Sequence, residues 1–517
     1  MNKNAVKELT KQGCIVDKDV AETLTDEDIK AIKQLDSAPM YITERMLDSL
    51  RSKTPEQTSE ISKLQETGEH KDSEASSDRE DNQENPGETE TQASEREFDG
   101  SKDVKILEKD DRREFNTKVE VLDEKDISKE EKDVPEFLQY YNDRYDKMKK
   151  LLMRRKELQS ATTLNRLERR QEGDEATAIG LVKDKYSTSS GKWIVELEDK
   201  TGTFKALIDE REGERIVPDE AIGVIGSMGG DIIYVNSVVR PDLPIPQGVN
   251  TTEEKVEAAY ISDLHIGSED TRHDKLDQFA KWLNSKEARN IGYLVIAGDM
   301  VEGVGVYPGQ KDELQVTNIY DQYEMFEEWI EKIPENIQVL VSPGNHDIAR
   351  LAEPQPRLTE KVLPNASQLN NVHLLQNPQT VRLHGVKSQG IVNLLYHGHS
   401  FDSHVDSIQD LREKAYQQPE HVMIDLLKRR HLAPTYGSNN MSPEEEDYLA
   451  ITEKPDIFVS GHFHSHCNES YKGVNVINSS SFQEQTDFQK RVGHEPDPGK
   501  VTIVDFKTRN TRIKKFF

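Results

Sequence analysis

Apolar positions in the second half of the chain fall into short runs separated by amphipathic stretches. Runs that fit strands occur at 256–262, 293–297, 338–342, 391–396 and 456–460, with helical periods between them, as at 275–285 and 321–330. Strands that are apolar at nearly every position are buried on both faces, so the alternation predicts a layered α/β domain with a buried sheet. Loops at strand ends are where such sheets carry their function.

Upstream the period changes. Five shorter runs at 178–182, 192–197, 203–208, 222–226 and 231–235 are separated by turn residues. That spacing predicts a small Greek-key barrel of the OB type. Trp193, Phe204 and Lys205 are the residues with which such a barrel would hold a single strand, although one aromatic per strand is also what its core needs. Residues 241–246 read as a stiff proline-containing connector. From 134 to 170 the stripe Phe137, Tyr140, Tyr141, Tyr145, Met148, Leu151 and Leu152 predicts an amphipathic helix with a solvated basic face. Residues 1–51 show a helical period of Val, Leu and Ile, either an interaction module or a helical arm. Between 52 and 133 Glu, Asp, Ser, Thr and Gln dominate, and burial there cannot offset ordering entropy, so a disordered acidic tether is expected. The expected organisation is a helical module at 1–51, a tether at 52–133, a helical connector at 134–171, a barrel at 172–248 and the α/β domain at 249–517.

Composition adds little to this picture. The 517 residues exceed one core, and the formal charge of -29 bears on solubility and steering rather than on what a local site binds. Two distant cysteines, Cys14 and Cys467, exclude a disulfide framework and point to a reducing compartment. Cys467 reads as a small buried thiol rather than a ligand. No signal-like or membrane-spanning run occurs, so a soluble cytoplasmic protein is expected.

Candidate chemistry sits just after the five strands of the last domain. The segments are Ile261-Ser262-Asp263-Leu264-His265, Ala297-Gly298-Asp299, Pro343-Gly344-Asn345-His346-Asp347, Tyr396-His397-Gly398 and Ser460-Gly461-His462-Phe463-His464. In extended chain, residues two apart point the same way, so Asp263 with His265, and His462 with His464, can each face one ion. Two divalent ions about 3.5–4 Å apart clamp the attacking and leaving oxygens of a phosphoryl displacement. With Asp299 as the bridging carboxylate, one ion would take Asp263, His265, Asp299 and His464, and the other Asp299, Asn345, His397 and His462. Such mixed nitrogen and oxygen donors suit manganese, iron or zinc better than calcium. His346 remains as the acid for the leaving alkoxide. Glu302 and Asp347 are the candidates to hold its tautomer, and Glu302 is preferred because it follows Asp299 by one short turn of loop. Each segment alone is a weak signal; all five in order, each at a strand end, are not. His399 and His404 read as loop residues or substrate contacts, and Lys428, Arg429 and Arg430 as either a DNA-backbone contact or a solvated helix end.

These motifs resemble the calcineurin-like metallophosphoesterases. The longer segments 261–268, 298–310, 431–437 and 478–490 are similar to those of the archaeal family D DNA polymerase small subunits. The resemblance covers roughly 134–510 and implies a phosphoesterase sandwich behind an OB barrel. It also implies a manganese-dependent 3′-to-5′ exonuclease acting on single strands and mispaired ends, paired with a large catalytic subunit. Glu302 departs from the family, which usually has Asp there. The segment Ile513-Lys514-Lys515-Phe516-Phe517 resembles a sliding-clamp peptide with Asn510 in place of the leading Gln, and a last edge strand explains the same letters. The reading is thus an exonuclease subunit of a replicative polymerase. A repair nuclease of the same superfamily and a scaffold subunit without activity are the alternatives.

Overall fold

The structure is a computed structural model. It describes residues 113–125, 127, 134–385 and 389–517 and, before these, 15–16, 25, 41–42 and 94–97. The chain divides into two units, Met1–Thr89 and Glu90–Phe517. In the first unit Ile15–Val16 pairs in parallel with Tyr41–Ile42. The helical module expected over 1–51 otherwise lies outside the described residues, as does most of the expected tether.

The second unit contains two sheets packed face to face. One runs Val372–Leu374, Gln338–Ser342, Ile291–Ala297, Glu257–Ile261, Lys500–Asp505, Thr511–Lys515 and Ser94–Glu97. The other runs Cys467–Tyr471, Val474–Asn478, Ile457–Ser460, Ile391–Leu395, Gln379–Leu383 and Val119–Val121. The period of two along each strand divides its side chains between cores. Ala258, Tyr260, Tyr293, Val295 and Leu340 face the other sheet and meet Leu395, Ile457 and Val459. Their neighbours Ala259, Ile261, Leu294, Ile296 and Val339 face outward. There they are covered by Phe279 and Trp282 of helix His273–Leu283 and by Phe326 and Trp329 of helix Ile319–Ile330. Helix Glu420–Arg429 covers the second sheet with Met423 and Leu426 against Phe458 and Val476. Fully burying one such side chain is worth about 1.5–3 kcal/mol, which makes these strands a rigid base for the loops at their ends.

The strands Glu175–Ser187, Trp193–Asp199, Gly202–Ile208, Ala221–Met228 and Ile232–Val239 close a barrel in the order first, second, third, fifth, fourth. The third and fifth are parallel, and helix Glu210–Arg215 lies between the third and fourth in sequence. Phe204 belongs to the barrel core, and the Trp193 ring lies beneath the Lys185 ammonium at 4.6 Å. Helix Val134–Leu152 packs Tyr145, Met148 and Leu152 on the barrel residues Ile179 and Leu181. Arg144 of the same helix is buried and donates to Asp447 at 2.6 Å, tying helix to sandwich.

Two expectations need correction here. The acidic tether was expected to run unbroken to 133, yet Ser94–Glu97 extends the edge of the first sheet and Val119–Val121 that of the second. Backbone pairing on open sheet edges orders these strands, and apolar content does not register that contribution. The clamp-peptide reading also fails. Thr511–Lys515 is a paired strand, Ile513 is buried, and Phe516 packs edge-on against Phe279 at 5.4 Å. Phe517 is exposed in part, with Arg272 at 5.5 Å from its ring centroid. With Ile513 and the first of the two rings, Phe516, in the core, the segment lacks two of its three anchors for a partner.

Candidate metal centre

Five strands stop two or three residues before a candidate ligand: Glu257–Ile261 before Asp263, Ile291–Ala297 before Asp299, Gln338–Ser342 before Asn345, Ile391–Leu395 before His397 and Ile457–Ser460 before His462. The ligands therefore lie on turns. Asp263, His265, Asp299, His462 and His464 all have left-handed backbones, with φ of 52°, 48°, 52°, 72° and 54°. Such conformations cost about 1–3 kcal/mol each and persist where surrounding structure over-determines them. The two-residue spacing thus brings Asp263 and His265 together for another reason than strand geometry, whereas His462 and His464, expected to face one ion, are divided between the two groups. Leu264 N–H and His265 N–H both donate to the Asp299 carbonyl, at 2.8 and 3.1 Å, which curls that loop onto its neighbour.

Side chains lock the loops to one another. Asp347 Oδ2 accepts from the backbones of Asp299 and Gly344 at 3.0 and 2.8 Å. Asp299 Oδ1 accepts from His346 N–H at 2.8 Å, and both Asp263 oxygens accept from His462 N–H at 3.1 Å. Gly344 and Gly461 permit this approach, since a Cβ would stand 2.2 Å from Asp299 Oδ1 and 2.3 Å from Asp263 Oδ2.

Among the described residues three overlapping clusters have metal-binding geometry, one of them joining His346 to His265 and Asp299, and the expected ligands fall into two groups. In the first, His265 Nε2 and His464 Nε2 are 2.9 Å apart, and Asp263 Oδ1 lies 3.8 and 3.4 Å from them. In the second, His397 Nε2 lies 3.0 Å from Asn345 Oδ1 and 3.1 Å from Asp299 Oδ2, and one donor atom each of Asp299, His397 and His462 falls within 4.8 Å of the others. Asp299 Oδ2 also faces His265 Nε2 at 3.9 Å, so one oxygen of the shared carboxylate is anchored and the other looks toward both groups. Donors about 2.1 Å from one cation stand roughly 3 Å apart, so the spacing fits a pair of cations. Burial works against the charges of Asp263 and Asp299, yet neighbouring imidazoles hold both carboxyls well below the usual range. Burial likewise opposes a charge on His397, but Asp299 raises it to about 9. The groups adjoin a pocket of about 370 Å³ that His346, Tyr307 and Phe488 also line.

Known proteins resemble this arrangement in sequence. The family model for the B-subunits of DNA polymerases alpha and epsilon matches residues 258–468. The DNA polymerase II small subunit of Halobacterium salinarum is 38% identical over 389 residues, 74% of this chain and 75% of the relative. That of Methanocaldococcus jannaschii is 36% identical over 407 residues, 75% of this chain and 67% of the relative. The chain belongs to the archaeal DNA polymerase II small subunits. Among solved structures, an archaeal phosphodiesterase aligns with 50% of this chain and 98% of its own at 15% identity, but its TM-score of 0.25 carries no argument.

Within this small subunit three of the candidate histidine ligands have a hydrogen-bonded partner behind them. His397 Nδ1 donates to the Ala297 carbonyl at 2.8 Å, which turns Nε2 toward Asp299. His462 Nε2 pairs with Asp402 at 2.7 Å, leaving Nδ1 for a cation, and Gln489 Nε2 lies 3.0 Å from His464 Nδ1. Sequence reading missed Asp402; the signal available was a carboxylate five residues after His397, too common to single out. Glu302 was expected to support His346, and here the structure differs. Its carboxylate lies 2.8 Å from His265 Nδ1 and 3.8 Å from His346 Nδ1. His346 Nδ1 donates instead to the Glu302 backbone carbonyl at 2.7 Å. The longer Glu arm carries the carboxylate past His346, and the side-chain amides of Gln310 and Gln483 donate hydrogen bonds to it at 2.9 and 3.0 Å. Although burial opposes its charge, His265 holds the Glu302 carboxyl at about 2.

The proposed DNA contact at 428–430 is not a free basic patch. Arg429 is buried, ion-paired to Asp425 at 2.7 Å and to Glu220. Arg430 is buried and donates to the Ile451 carbonyl at 2.6 Å, and Lys428 lies 5.5 Å from the Tyr471 ring centroid. Helix Glu420–Arg429 ends against the barrel, so its last turn faces protein rather than solvent. His404 likewise turns to Asp425 at 2.8 Å, His399 is half-buried with its ring 6.1 Å from that of His462, and Cys467 is buried outside both donor groups. No helix among the described residues is long and apolar enough to cross a membrane.

Proposed function

We propose that this chain is a two-metal 3′-to-5′ exonuclease that removes nucleotides from single-stranded DNA and mispaired primer ends. It would work in the cytoplasm beside a large subunit that synthesises DNA, as the polymerase names of its relatives suggest. The observation that carries the reading is the pair of donor groups sharing Asp299 in one pocket with His346. Asp263, His265, Asp299 and His464 would hold one cation and Asp299, Asn345, His397 and His462 the other. Manganese fits the mixed donors, as do iron and zinc. When bound, two such cations supply Lewis acidity for the phosphate oxygens and an activated water.

The chain's own residues do the rest. His346 Nδ1 keeps its proton because a carbonyl can only accept, so in its doubly protonated form the ring delivers the other proton from Nε2 and is left as the neutral Nδ1–H tautomer. As a water oxygen bonds to phosphorus and the P–O3′ bond breaks, that proton goes to O3′ of the penultimate nucleotide. The terminal nucleotide leaves as a 5′-monophosphate. General-acid assistance of this kind contributes about 10²–10⁴-fold. The layered sandwich is consistent with a calcineurin-like phosphoesterase, and the closed five-stranded barrel with an OB fold. The complete donor set disfavours a purely scaffolding subunit, and the barrel preceding the sandwich disfavours the repair nucleases that begin with it.

The test is hydrolysis of 3′-labelled single-stranded DNA by the full chain with manganese. His346→Gln should lower turnover about 10²–10⁴-fold while manganese affinity stays within a few-fold. Unchanged turnover would remove His346 from the reaction.

A further inference from the structure

Beside the first donor group the pocket wall carries a pair of stacked rings. Phe488 is 45% exposed and lies on Tyr307 with centroids 5.6 Å apart and planes 30° from parallel. A single exposed aromatic needs no explanation, but the position of this one does. The Tyr307 ring is 6.3 Å from that of His346, and its hydroxyl donates to Glu313 at 2.9 Å and lies 3.3 Å from Glu302. Phe488 stands on helix Asp487–Val492, which opens with a capping box between Thr486 and Gln489. Gln489 in turn touches the candidate ligand His464. Both rings are thus held by side chains that also hold the donor groups.

We propose that Phe488 is the stacking surface for the base of the penultimate nucleotide, on the leaving-group side of the scissile phosphate. The inference rests on the exonuclease reading above. His346 gives its proton to O3′, and O3′ belongs to the penultimate nucleotide, so that nucleoside lies on the His346 side of the pocket. Tyr307 and Phe488 form the aromatic surface on that side. Every base has a π-face, so stacking there is tolerant of sequence. It is not tolerant of pairing, because a base within a duplex is already stacked on its neighbours. Phe488 therefore selects strands whose last two nucleotides have left the helix, which is what separates a frayed or mispaired end from a matched one. Tyr307 positions Phe488 and is not itself the contact.

The test uses the full chain with manganese and two single-stranded oligonucleotides. One has natural bases throughout; the other has an abasic tetrahydrofuran residue at the penultimate position. Base–aromatic stacking implies that wild type cuts the natural strand with roughly 5- to 150-fold higher kcat/KM. Phe488→Ala should lose that preference and cut both strands alike, and Phe488→Trp should restore it. A Phe488→Ala variant that keeps the wild-type preference, or a wild type without one, overturns the inference and leaves the exonuclease reading standing. A wild type that cuts neither strand overturns both.

Discussion

Replacing Glu302 with Gln separates support of a metal ligand from support of the acid. The Glu302 carboxylate sits 2.8 Å from His265 Nδ1, whereas His346 Nδ1 already donates to the Glu302 backbone carbonyl at 2.7 Å. The substitution keeps that carbonyl. It removes the negative charge behind His265 and one of the acceptors facing Gln310 and Gln483. An amide accepts on one side only, so one of the two glutamines would meet an NH2 group. A buried donor left unmet costs about 1–3 kcal/mol of folding stability. Losing the partner of a ligating histidine lowers metal affinity about 10–100-fold, or about 1.4–2.8 kcal/mol. Glu302→Gln should therefore need roughly 10–100 times more manganese for half-maximal hydrolysis of labelled single strands. At saturating manganese its turnover should return to within a few-fold of wild type, with the pH profile keeping its shape. Calorimetric titration with manganese gives the affinity independently of activity. A variant that binds manganese normally yet turns over far more slowly at saturation would show that Glu302 acts through His346, and the reasoning would fail.

Removing metal should destabilise the chain: manganese at about 100 times its Kd contributes about 2.7 kcal/mol per site, read as a rise in Tm over the chelated protein. Asp299→Asn, altered in both donor groups, should melt at nearly the same temperature with manganese and with chelator. Arg429→Ala leaves Asp425 and Glu220 without their buried cation and should cost about 3–5 kcal/mol in urea unfolding, whereas Lys428→Ala should stay within about 0.5 kcal/mol. Weaker DNA binding by Arg429→Ala at unchanged stability would restore a nucleic-acid role for that turn. Burial works against the charge of Asp447, yet His431 and Arg144 hold its carboxyl well below the usual range. A depressed carboxyl contributes stability above its unfolded pKa of about 3.9 and loses it as pH falls, so Asp447→Asn should flatten the acid limb of the stability profile below about pH 4.

The five strand-ending motifs were legible because burial on both faces makes a strand apolar throughout, and a polar ligand marks its end sharply. The barrel strands and the helix at Val134–Leu152 were legible from the same periodicities. Other features carry no such mark. Arg429 and Arg430 read as a basic cluster because sequence does not show that Asp425, Glu220 and the Ile451 carbonyl face them. Phe516 and Ile513 read as a peptide anchor because a buried strand and an exposed motif use the same letters. Val119–Val121 escaped notice because edge pairing needs only backbone.

What the sequence by itself determined is the set of candidate donors and the strands that end beside them. Hydrophobic period and ligand chemistry are both properties of residue type, and both are written locally. Which nitrogen of each imidazole faces inward, and which carboxylate stands behind it, was decided only by the tertiary structure. The Glu302 carboxylate lies nearer His265 than His346, and Asp402 stands behind His462, because left-handed turns and the meeting of separate loops set those distances. Such contacts arise between segments far apart in the chain, where no local pattern records them.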